Sequence, residues 1–198
     1  MSAYDDLCDA LEAHGVPVRS RLNPPAQTHD LDRVRALLPA PPPSAWESLY
    51  ALHDGEGDHG IEGTLLGLKF MPLHDVLRWL LDMQMLIDQG FPENDGPNPD
   101  PRVSQHFPSL GLLPVFDDTT GNSLGIDLQP GPEGKAGQVV IFGADYDGAQ
   151  YVCADLVDLF LLLLREVNMG ALVVTPHPGQ LPEARLQGVT GVLMDWLA

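Results

Sequence analysis

The segment from Gly111 to Glu166 constrains this chain most. Three short apolar runs, Leu112–Phe116, Ser123–Leu128 and Gln138–Phe142, are separated by acidic turns rich in Gly, Asn and Pro. A strongly apolar run follows, opened by a helix-start signal at Asp155. Strands of this length joined by short turns read as a β-meander running into a helix. A meander needs no crossover helices, so the spacing predicts an α+β domain with an antiparallel or mixed β-sheet packed by helices, and disfavours a doubly wound parallel sheet. Helices over Leu73–Gln89 and Asp155–Asn168 are expected to pack on it. In the second, Asp155 can accept from the free N–H groups of the first turn, and Asp158 suits the positive end of the helix dipole.

The remaining sequence supplies shorter helices and two breaks. Ala3–His14 places Tyr4, Leu7, Cys8 and Leu11 on one helical face, and Asp30–Leu38 does the same with Leu31, Val34, Leu37 and Leu38 before Pro39 stops it. Ser44-Ala-Trp-Glu47 has the spacing of a capping box, which predicts a helix starting at Ser44, with Gly55 as its terminator. Prolines break every periodicity between Phe91 and Pro108, which predicts an exposed loop. A weak helix is expected over Glu183–Leu197, interrupted by Gly188 and Gly191. Its Leu193, Trp196 and Leu197 need burial, either on the body of the domain or in a homodimer contact. The chain thus divides into an N-terminal helical extension (1–29), an α+β domain carrying the proline-rich insert at 91–108 (30–169), and a C-terminal extension (170–198).

Charge limits the partners. The 28 acids against 10 bases give a formal net charge of −18, the wrong sign for a phosphate-backbone binder and the right one for a basic protein. No nucleic acid and no membrane is expected as a partner. The longest apolar run, Leu159–Leu164, is far short of the ~20 residues that span a bilayer. Cys8 and Cys153 form no CxxC pair, and the acidic N-terminus has no apolar signal region. A reducing, cytoplasmic setting is the expectation.

Few residues offer catalytic chemistry. The loop from His53 to His59 gathers His53, Asp54, Glu56, Asp58 and His59, the composition of a metal site and hence of a metal-dependent hydrolase. The calcium-loop pattern fails, because His59 stands where glycine is required and Leu65 where a bidentate glutamate is required. The two histidines also lack the spacing of a helical zinc motif, so a helix end and exposed turn is the preferred reading, with no metal and no cofactor. Asp117-Asp118-Thr119-Thr120-Gly121-Asn122 and Asp145-Tyr146-Asp147-Gly148 read as hairpin turns, where Asp and Asn bond local backbone and Gly takes positive φ. There is no GxSxG elbow and no phosphate loop, and neither cysteine sits beside a histidine or lysine in sequence. The chain is therefore not expected to be an enzyme.

Taken in order, Leu38-Pro39, Leu52-His53-Asp54-Gly55, Leu113-Pro114-Val115-Phe116, the run Gly121 to Leu128, Gly137-Gln138-Val139-Val140 and the capped helix at Asp155 form one pattern. That pattern resembles the SUKH superfamily, which includes yeast Smi/Knr-type regulators of cell-wall synthesis and many bacterial immunity proteins. The resemblance extends from about Asp30 to Val167. It implies an α+β domain without a catalytic centre that binds other proteins. The first functional expectation is an immunity protein that neutralises a basic toxin domain of nuclease type. The alternative is a regulatory scaffold of the cell-wall-regulator kind. Between Val103 and Leu164 eight acids face one base, so the expected partner-binding residues are Asp117, Asp118, Asp145 and Asp147, with Tyr146 and Tyr151 as anchors.

Overall fold

The computed structural model describes residues 2–57, 63–91, 100–146, 148–177, 181–188 and 193–197. In chain order these form α1 (Ala3–Ala13), α2 (Thr28–Arg35), α3 (Ser44–Leu52), β1 (Lys69–Phe70), α4 (Leu73–Asp88), β2 (Leu112–Asp117), β3 (Asn122–Asp127), β4 (Gln138–Gly143), β5 (Gln150–Cys153), α5 (Leu156–Asn168), β6 (Leu172–Thr175), β7 (Glu183–Leu186) and α6 (Leu193–Leu197). The sheet is antiparallel throughout, in the order β1-β2-β3-β4-β5. The three strands of the meander therefore stand where the sequence puts them, each within a residue.

Alternation along the strands sends side chains to two buried faces. Leu113, Val115, Leu124, Ile126, Val139 and Ile141 enter the main core with α1, α3 and α5. Leu112, Val140 and Phe142 point the other way and meet Val103, Ala149 and Trp79. A bulge between Pro114 and Phe116 turns Phe116 inward beside Val115, where it packs on Phe70 and Phe160. Gly125 lies opposite Pro114 at this point, and a Cβ there would sit 2.4 Å from the Leu113 carbonyl oxygen. Only glycine lets the two strands approach so closely.

Three expectations need correction. At α3 the capping box does not form: Pro43 is the N-cap, and Glu47 instead accepts from Arg35 Nη2 at 2.7 Å and Nε at 3.0 Å. A capping box does form at α1, between Ser2 and Asp5. The end of the proline-rich insert is an exposed loop only in part: Pro101, Arg102, His106 and Phe107 are exposed, but the segment is anchored. Val103, Pro108 and Ser109 are buried, and the Arg102 carbonyl accepts from Gly131 N–H and from Gln138 Nε2; residues 92–99 lie outside the described part. The tail forms a β6–β7 hairpin followed by α6, because the β-branched Leu172–Thr175 run pairs with Glu183–Leu186 and overrides the helical tendency of the latter. Leu193 and Met194 are buried in the main core, Leu193 N–H donates to the Leu66 carbonyl, and Trp196 and Leu197 pack half-buried against that core.

Candidate functional site

The turn after α3 is not an exposed polar loop. The chain leaves the helix at His53 in an extended conformation, so Gly55 does not end it. Gly55 instead takes φ +69, and a Cβ there would lie 2.3 Å from the Pro72 nitrogen, so the close approach of the two segments needs glycine. His53 Nδ1 lies 3.1 Å from the Asn23 carbonyl, and the Asp54 carboxylate accepts from Leu73 N–H at 2.8 Å, opening α4. Glu56 is 1% exposed and accepts from Thr64 N–H, Thr64 Oγ1 and Phe70 N–H. Burial pushes its carboxyl upward against those bonds. Arg21 stands 3.7 Å away, also buried, with none of its guanidinium nitrogens hydrogen-bonded among the described residues. These groups hold the fold together. Asp58 and His59, the rest of the metal-hydrolase set, lie outside the described residues, and among the described residues no three His, Cys, Asp or Glu groups gather as metal ligands. Burial raises both the Cys8 and the Cys153 thiol to about 12, so both are protonated at neutral pH.

The meander turns gather most of the remaining site residues. The β3–β4 register sets Asn122 opposite Gly143, which carries the β2–β3 turn against the start of the β4–β5 turn. Asn122 Nδ2 donates to Asp118 Oδ2 and to Asp145 Oδ2, both at 2.7 Å, while Asn122 Oδ1 accepts from Asp145 N–H at 3.0 Å. One amide thus clamps two acidic turns into one corner of the sheet. Burial opposes ionisation of Asp118, but hydrogen bonds from Asn122 and Thr120 outweigh it and hold the carboxyl below the usual range. Asp117 is half-buried across from Lys69, and burial raises its carboxyl. Tyr146 packs beside this corner, and Asp147 lies outside the described residues. Tyr151 is set apart: it pairs with Val140, three residues along β4 from Gly143, and the Arg102 guanidinium stacks 3.7 Å over its ring. Asp127, one of the eight acids of this region, is 2% exposed and accepts from Gln138 and Gln129, so it adds nothing to the surface.

Beside the acidic corner a cavity of about 460 Å³ opens on the second face of the sheet. Trp79 and Met83 of α4, Phe142 and Leu112 of the sheet, and the 104–107 segment wall it, with Ala144 and Tyr146 at the turn side. Trp79 and Phe142 stand 5.6 Å apart, and Gln105 packs on Gly148 and reaches the Ala149 carbonyl. Sequence reasoning missed this cavity. The apolar stripe of α4 was visible, but that the stripe stops short of covering the sheet is a matter of tertiary packing.

The SMI1/KNR4 family model (SUKH-1) matches residues 25–162. The chain is similar to the cell wall biosynthesis/cell cycle regulator smi1 of Schizosaccharomyces pombe, 29% identical over 141 residues, covering 65% of this chain and 28% of that protein. It is similar to the cell wall assembly regulator SMI1 of Saccharomyces cerevisiae, 24% identical over 184 residues, covering 75% of this chain and 36% of that one. A KNR4/SMI1 homolog of Kluyveromyces lactis is 37% identical over 68 residues, covering 34% of this chain and 13% of its own length. This chain therefore spans about a third or less of these relatives. With more than half of its residues matched and the five-stranded antiparallel sheet in place, the chain belongs to the SMI1/KNR4 family (SUKH-1).

Proposed function

We propose that this protein is a non-enzymatic protein-binding module of the regulatory scaffold type, working in the reducing interior of the cell and presenting the acidic corner around Asp117, Asp118 and Asp145 to a basic partner. One observation carries the reading: Asn122 fixes Asp118 and Asp145 together, so two turns distant in sequence form one negative surface. A surface of this sign speeds encounter with a positive partner, while affinity comes from apolar anchors nearby. The names of the relatives, cell wall and cell cycle regulators, favour the scaffold reading over the toxin-immunity role expected first. An immunity protein would hold one basic toxin tightly; a scaffold binds several partners more weakly.

Co-purification of partners at low and raised salt tests the proposal, followed by the same capture with Asp117→Asn, Asp118→Asn and Asp145→Asn combined. The expected outcome is salt-sensitive capture of several proteins that the triple variant loses. Partners retained in full by the variant would sink the role of this surface. A single partner with toxic activity would move the reading to immunity.

A further inference from the structure

The cavity beside the acidic corner has the chemistry of a socket. Its described walls carry no Asp, Glu, Lys or Arg; they offer the Trp79, Phe142, Phe107 and Tyr146 rings, Met83, the His106 imidazole, and the polar atoms of Ser104, Gln105 and Ser123. At about 460 Å³ it has room for one large side chain. Asp145 lies between the lining residues Ala144 and Tyr146 in sequence and is tied through Asn122 to Asp118, and the exposed Asp82 precedes Met83 on α4. An apolar recess with acids fixed at its edge complements one kind of ligand: a bulky uncharged side chain flanked by positive charge.

We propose that this cavity seats an aromatic side chain, tryptophan or phenylalanine, from a Lys/Arg-rich linear segment of the partner protein. The inference rests on the protein-binding reading above and adds the partner's chemistry. The aromatic ring packs against the outer faces of the contacting Trp79 and Phe142 rings and displaces water from the recess, and the flanking cations meet Asp118 and Asp145. The acids bring the segment in and the socket sets which segment stays.

The test uses the whole protein and three synthetic peptides: one rich in Lys and Arg around a single central tryptophan, the same peptide with alanine at that position, and an Asp/Glu-rich counterpart around tryptophan. Binding is followed by fluorescence anisotropy and by NMR shifts of the Trp79 indole and Met83 methyl. The basic tryptophan peptide is expected to bind and shift both signals, and the alanine peptide to bind at least about tenfold more weakly. The acidic peptide should not bind. Ala144→Phe, at an exposed position lining the mouth, should reproduce the loss seen with the alanine peptide; Met83→Trp fills the recess from the opposite wall as a second check. Salt-sensitive binding that needs Asp118 and Asp145 but ignores both the central tryptophan and the filling variants overturns the socket and leaves the acidic surface standing. No binding of the basic tryptophan peptide overturns the socket too, and binding of the acidic peptide alone overturns both.

Discussion

Glu56 and Arg21 make an unequal pair. The Glu56 carboxylate has two backbone N–H groups and a hydroxyl to satisfy it, whereas among the described residues Arg21 has only a long ion pair. Removing Glu56 strands Phe70 N–H, Thr64 N–H and the Arg21 charge in the core. Glu56→Ala should therefore cost on the order of 3–5 kcal/mol in urea unfolding. Arg21→Met replaces an unsatisfied guanidinium with an apolar chain of similar length and should cost about 1 kcal/mol or less. Equal costs would show that the pair is balanced after all. Neither role was legible in the sequence: Glu56 sits in a Gly-rich polar run that reads as solvent-facing, and its partner is 35 positions upstream. Asp127 gives a prediction with pH. Burial raises its carboxyl from 3.8 to about 6. A folded value above the unfolded one means a contribution present below about pH 4 and lost as pH rises through about 6. The stability of wild type relative to Asp127→Asn should fall by on the order of 2–3 kcal/mol between pH 4 and pH 7. A flat difference across that range would refute the assignment.

Among the elements, α5 was readable to the residue, because Asp155 is followed by an unbroken apolar stripe and its side chain does accept from Asp158 N–H. Asp155→Ala should lower stability by about 1 kcal/mol. The start of α3 was also legible, but its cap was not: the Glu47 carboxylate found Arg35, a pairing set by how α2 lies against α3. The site shows the same division. Each acidic turn could be recognised alone from Asp, Asn and Gly. Their union depends on the register that sets Asn122 against Gly143, which no local pattern carries. Asn122→Ala should cost about 1–3 kcal/mol, since it leaves the Asp145 N–H and two carboxylates without their shared partner. In that variant amide exchange should accelerate together at 118–121 and 144–146. Acceleration in one turn only would mean that the turns are not coupled through this side chain.

At the scale of the whole molecule, the family-matched span is smaller than the folding unit. It begins at residue 25, beyond α1, and stops at residue 162, inside α5. Yet α1 packs directly on α5, and α6 and β7 contribute Leu186, Leu193 and Met194 to the same core. A fragment of residues 25–162 should lack the cooperative thermal transition and near-ultraviolet circular dichroism of the full chain. A fragment that melts cooperatively would show the termini to be dispensable. The packing of Tyr4 against Phe160, ring centroids 5.2 Å apart, also bears on how the protein is made. α1 leaves the ribosome before residues 14–155 and its partner helix α5, so the face of Tyr4, Leu7 and Leu11 emerges long before that helix exists to cover it. Closure over so long a stretch of chain is slow. The yield of this protein in a cell should therefore depend on what shelters its first helix during synthesis more than on the stability it finally attains.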